Sequence, residues 1–154
     1  STYNDLHLTL KHIHWNVVGP NFIGVHEMID PQVELVRGYA DEVAERIAAF
    51  GFSPQGTPGA IVRDREWDDY SVGRDTAQAH LAALDLVYNG VIEDARKAIK
   101  ETEELDPVTQ DIIIEHTAQL EKFQWFVRAH LENSGGRLTH EGKKTEKAAA
   151  GKAR

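Results

Sequence analysis

The chain has 154 residues and a mass of 17.2 kDa, and it is 41% hydrophobic and 27% charged. That is one domain's length with enough apolar material for a core, which excludes wholesale disorder. It contains no cysteine, so a disulfide scaffold, a thiolate metal site and a cysteine nucleophile are all ruled out. This suits a reducing compartment.

No apolar run approaches the ~18 residues of a membrane span, and there is no secretory h-region. The net charge of −8 is laid out unevenly: residues 137–154 hold six Lys and Arg against two Glu, a surplus of +4, leaving −12 on residues 1–136. An acidic body with a basic tail is the first pattern to explain.

Tyr3, Leu6, Leu10, Ile13 and Val17 recur every three or four residues, which predicts a helix ended by Gly19-Pro20. No N-cap precedes the pattern and no Met begins it, so further residues are expected ahead of Ser1. Ile29, Val33, Val36, Ala40, Val43, Ile47 and Phe50 then keep a repeat of about 3.5 residues and predict a second helix from about residue 23 to 50. Pro31 is expected in its first turn or at a mild kink, and Gly51 as its stop.

Residues 51–70 are rich in Gly and Pro and long for a bundle connection, so a crossover or a short helix is expected there. Ser71 is the expected N-cap of a third helix marked by Ala77, Leu81, Leu84, Tyr88, Val91, Ala95 and Ile99. Asp106-Pro107 opens a fourth, which runs to about Asn133 and stops at Gly135-Gly136. The prediction is an all-α four-helix bundle over residues 1–134, with a short helix or long crossover between helices two and three. Residues 135–154 show no apolar stripe and are expected as a basic flexible tail.

The polar residues beside the seam of helix two carry the chemistry. At ~100° per residue, with His26 at zero, Asp30 falls near 40°, Asp41 near 60° and Glu45 near 100°. His26/Asp30 and Asp41/Glu45 are both i,i+4 pairs, so each pair can reach one ion from adjacent turns. Fifteen residues at ~1.5 Å separate His26 from Asp41 by about 22 Å, too far for one ion. A two-fold dimer with antiparallel second helices and an axis near residues 35–36 closes the gap, laying one chain's first pair beside the partner chain's second pair and creating two identical sites. His14, just before the Gly-Pro turn, is placed to add another imidazole. Nitrogen and carboxylate without sulfur suit iron, manganese or zinc better than calcium or copper(I). The plainer alternative is a solvated face on which Glu42 and Glu45 pair with Arg46 for a few tenths of a kcal/mol.

The run from His14 to Asp30, HWNVVGPNFIGVHEMID, followed by DEVAERIAAFG from Asp41 to Gly51, resembles the Dps family of starvation-induced, DNA-binding mini-ferritins. The shared pattern is His-Trp-Asn, Gly-Pro-x-Phe, His and Asp four apart, then Asp-x-x-x-Glu-Arg, and the helix pattern extends it over residues 1–134. The lysine-bearing tail resembles that of mycobacterial and related actinobacterial members. The resemblance implies a ferritin-like bundle assembled as a hollow dodecamer of two-fold dimers, with a ferroxidase centre at each two-fold interface. His14 and His26 would come from one subunit and Asp41 and Glu45 from its mate. Asp30 would be a ligand or a supporting partner, and Trp15 beside the site would trap stray oxidising equivalents, the plainer reading of Trp15 being a packed aromatic. Full-size ferritins use Glu-x-x-His pairs inside one bundle, and none of the eight histidines here has Glu three residues before it.

The implied activity is oxidation of Fe(II) by hydrogen peroxide and storage of ferric mineral, in the cytoplasm and at the nucleoid. The resemblance also implies an acidic three-fold pore near the start of helix four, for which Asp111 leads and Asp106 and Glu115 follow. Arg137, Lys143, Lys144, Lys147, Lys152 and Arg154 are expected to contact DNA phosphates without sequence specificity, with avidity from many tails. The competing reading is a structural nucleoid protein whose metal site turns over little, and a third is a bundle that binds no metal.

Overall fold

The computed structural model describes residues 1–65 and 67–154. Helix α1 (Thr2–Asn16) buries Leu6, Leu10 and Ile13, the period read from the sequence. It runs into β1 (Val17–Val18), and the chain then reverses at Gly19-Pro20-Asn21. Gly19 (φ 83°) and Asn21 (φ 64°) both take the left-handed conformation. Glycine enters that region without a Cβ clash, and asparagine is among the few other residues that tolerate it.

Helix α2 (Phe22–Ala49) follows antiparallel to α1. Pro31 lies well inside it rather than in its first turn, so the carbonyl of Glu27 loses its helical donor. Gly51 (φ 82°) ends α2 as expected: its N–H bonds the Ala48 carbonyl at 2.9 Å and the Phe52 N–H reaches that of Ile47 at 3.2 Å.

The long connection contains a short helix, α3 (Pro58–Asp64), and ends in β2 (Asp75–Thr76). β2 pairs in parallel with β1, Val17 opposite Asp75 and Val18 opposite Thr76. This pairing displaces the next helix start. Helix α4 (Ala77–Thr102) is capped by Thr76, whose Oγ1 accepts the Ala79 N–H at 3.2 Å, and not by Ser71. Helix α5 (Pro107–Ala129) opens on its proline as expected and ends four residues before Asn133.

Leu81, Leu84, Tyr88, Val91 and Ile92 of α4 meet Leu120, Phe123 and Val127 of α5 and the buried stripes of α1 and α2 in one core. Each such buried aliphatic stabilises the fold by about 1.5–3 kcal/mol. The apolar stripe of α2 outruns this core, because Ile47 and Phe50 are exposed.

The expectation of a flexible tail is corrected. Residues 146–153 form helix α6 (Glu146–Ala153), which lies on α4 with Ala149 and Ala150 buried. Its stripe was hidden because alanines carry it. The architecture is the expected four-helix bundle, with α3 in the crossover and α6 against one side.

Candidate metal centre

The Gly19–Asn21 reversal lays the last turn of α1 against the first turns of α2. His14 and His26 meet there with rings stacked at 3.6 Å and 23°. Their backbones and side chains are cross-bonded: Nδ1–H of His14 donates to the His26 carbonyl at 3.0 Å, and Nδ1–H of His26 to the His14 carbonyl at 2.9 Å. Both rings are thereby fixed with Nε2 as the lone-pair nitrogen, the form in which imidazole binds a metal.

Asp30 stands one turn beyond His26, its Oδ1 3.2 Å from His14 Nδ1 and 3.0 Å from the Lys11 ammonium. The hydrogen bond from Lys11, and the positive surroundings after it, hold the Asp30 carboxyl below its usual range. The same ammonium lies 5.8 Å from the centre of the Trp15 ring, and Trp15 is 71% exposed. Trp15 is not packed into this chain's core. Leu8, Phe22 and Ile23 are exposed on the same pair of helices.

Asp41 and Glu45 are exposed one turn apart on α2, and neither has a hydrogen bond or ion pair among the described residues. At ~1.5 Å per residue they begin about 22 Å along α2 from His26. Among the described residues, no three His, Cys, Asp or Glu side chains of one chain converge on a common point. One chain therefore carries two separate groups of candidate donors on α1 and α2: an imidazole pair with Asp30, and a carboxylate pair with no partner among the described residues. The donor types fit a borderline divalent ion such as iron.

The surface pairing of Glu42 and Glu45 with Arg46, the plainer alternative, is not made among the described residues. Glu42 accepts a hydrogen bond at 2.9 Å from Nε2 of buried His116, whose ring stacks on Tyr39 at 3.8 Å. Arg46 reaches instead to Asp106, at 3.0 and 2.8 Å, and to the Thr109 hydroxyl at 3.0 Å. Asp106 occupies the N-cap position of α5 but makes no side-chain cap bond there. The Thr109 hydroxyl and then Arg46 keep its carboxyl below the usual range. Asp111 and Glu115 stay exposed one turn apart on α5, with no partner among the described residues.

Of the tail cations, Arg154 pairs with Asp75 through Nε at 2.8 Å. Arg137, Lys143, Lys144, Lys147 and Lys152 are exposed and make no ion pair among the described residues. A buried polar network was not anticipated. Asp85, 1% exposed, accepts from Arg128 Nε at 2.7 Å, Gln124 Nε2 at 2.9 Å and His140 Nε2 at 2.8 Å. The signal was available: Asp85 follows Leu81 by four, and Gln124 follows Leu120 by four, so both sit in core register.

A family model described as a ferritin-like domain matches residues 2–134. A Mycolicibacterium smegmatis protein named DNA protection during starvation protein is 80% identical over all 154 residues, which cover 84% of its length. The chain belongs to the Dps family. The crystal structure of Mycobacterium smegmatis Dps superposes with a TM-score of 0.92 at 80% identity, over 94% of this chain and 82% of that one. A Dps protein from Streptomyces coelicolor, 65% identical, superposes at 0.88 over 89% and 82% of the two chains. Another relative, 50% identical over 135 residues and matched over 71% of its length, is the Haemophilus ducreyi protein named fine tangled pili major subunit. The ferritin-like Dps fold accounts for the bundle and the crossover helix.

Proposed function

We propose that this Dps-family chain is a ferroxidase and iron-storage protein that also binds DNA without sequence specificity. The observation that carries the reading is the division of ligands: a tautomer-locked imidazole pair at one end of α2 and an unpaired carboxylate pair further along it. Two antiparallel copies of α2 about a two-fold axis complete both sites at once. The exposed Trp15, Phe22 and Ile23 would be covered by the same contact. Repetition of such dimers in a dodecamer is what the family resemblance adds.

Fe(II) is the substrate. His14 and His26 supply neutral Nε2 donors, Asp30 supplies a carboxylate already held ionised by Lys11, and Asp41 and Glu45 of the second subunit supply the charge that favours Fe(III). Lys11 must leave Asp30 for a cation to take its place, so it competes with the ion. Hydrogen peroxide is the oxidant we assign. Two ferrous ions give it one electron each, it takes up two protons, and two waters leave. Trp15 stands where it can be oxidised in place of a more valuable target. Asp111 and Glu115 are the acidic groups we place at a three-fold pore. The protein would act in the cytoplasm, at the nucleoid.

The test is peroxide-driven Fe(II) oxidation, followed by ferric absorbance, alongside native mass on the same sample. The wild-type protein should oxidise iron as a dodecamer, and a His14→Ala/His26→Ala variant should assemble but lose at least tenfold in rate. An unchanged rate in that variant would refute the site. Slow oxidation by the wild type together with strong duplex binding would favour the structural nucleoid reading.

A further inference from the structure

The tail is held at both ends. Its first anchor is His140, 3% exposed, whose Nε2–H donates to Asp85 in the buried network with Arg128 and Gln124. Its last is Arg154, bonded to Asp75 beside the start of α4. Between them Thr145 caps α6, its Oγ1 accepting the Ala148 N–H at 3.3 Å.

The faces of α6 are sorted. At ~100° per residue Ala149, Ala150 and Ala153 share one side, and Lys147 and Lys152 flank the opposite one. Ala150 packs with Ala79, Ala83 and Val72, and Ala149 and Ala153 join the main core. Small side chains on both helices allow a close approach that a bulky residue would break. Lys147 and Lys152 therefore point away from the body, and Lys143 and Lys144 are exposed just before the cap.

We propose that α6 binds duplex DNA in this docked state, as a fixed lysine ridge on α4 and not as a flexible tether. This rests on the DNA binding proposed above and specifies its form. Docking orders the lysines during folding, so that entropy is not lost again on binding. It also withholds Arg154, which Asp75 already neutralises. The phosphate contacts then come from Lys143, Lys144, Lys147 and Lys152.

The test uses the full chain in its assembled form and a fluorescent random-sequence duplex. Ala150→Leu keeps every charge and forces α6 off α4. It should speed tryptic cleavage after Lys147 at least tenfold and weaken duplex binding at least fivefold, with iron oxidation unchanged. Because the chain has no cysteine, Ala83→Cys/Ala150→Cys offers a reversible lock. The oxidised form should bind the duplex as tightly as wild type. Binding that survives A150L, or that disappears on locking and returns with reductant, overturns the ridge in favour of a tether. Wild-type cleavage as fast as that of the free tail peptide also overturns it. A protease-resistant tail on a wild-type protein that binds no duplex would sink the DNA reading itself, and the ridge with it.

Discussion

His14 and His26 are locked to each other, each ring's Nδ1–H bonded to the other residue's carbonyl and the rings stacked at 3.6 Å. The lock leaves two Nε2 lone pairs side by side with no carboxylate from α2's far end within reach. A dimer site made this way has a diagnostic behaviour. His14→Ala/His26→Ala and Asp41→Ala/Glu45→Ala should each abolish rapid oxidation. When the two variants are co-assembled, a mixed dimer has one site with both halves destroyed and one with both halves intact. Activity should therefore return, to at most half of the wild-type rate per subunit. Mixed particles as inactive as their parents would show that the ligands do not cross between chains.

A second pair tests the core. The Tyr88 hydroxyl donates to Gln32 Oε1 at 2.6 Å, both residues are buried, and Gln32 Nε2 has no partner among the described residues. Tyr88→Phe strands the whole amide and should cost about 1–3 kcal/mol in urea unfolding. Tyr88→Phe/Gln32→Leu removes both polar groups and should recover most of the loss. A double variant weaker than Y88F alone would refute the pairing as the source of the effect.

The helices were legible because Leu, Ile and Val at a period near 3.6 mark a buried face directly, as Leu6, Leu10 and Ile13 do. The common arc of His26, Asp30, Asp41 and Glu45 was legible because a helical wheel needs no tertiary knowledge. Three features needed long-range contacts. The start of α4 moved from Ser71 to Thr76 because Asp75 and Thr76 pair with Val17 and Val18. Arg46 chose Asp106 on α5 over the glutamates of its own helix. Helix α6 is ordered by Ala79 and Ala83, which are distant in sequence, and its alanines look neutral in a hydropathy pattern.

The acidic candidates at the start of α5 should separate by role. Asp106 is pinned by Arg46 and the Thr109 hydroxyl, bridging α2 to α5. Asp106→Asn should lower the thermal midpoint while iron uptake per intact particle stays near wild type. Asp111→Asn/Glu115→Gln removes exposed charge that has no partner among the described residues. It should leave the midpoint alone and slow mineral growth severalfold. Normal uptake in the second variant would exclude these residues from the pore.

His80 gives the fold a pH dependence. It is fully buried, and Tyr70's hydroxyl lies 3.1 Å from its Nδ1. Burial lowers its pKa from the ordinary 6.5, against smaller upward pulls from the Asn16 backbone and then Asp75 and alongside a downward push from His12. Below 6.5 the unfolded chain therefore takes up a proton at this position before the folded one does. The stabilisation is fully present above 6.5 and is lost as pH falls through the lower folded value. The wild-type thermal midpoint should fall between pH 7 and pH 5, and His80→Gln, which cannot titrate, should fall less over the same range. Parallel slopes for the two proteins would show that other histidines carry the whole effect.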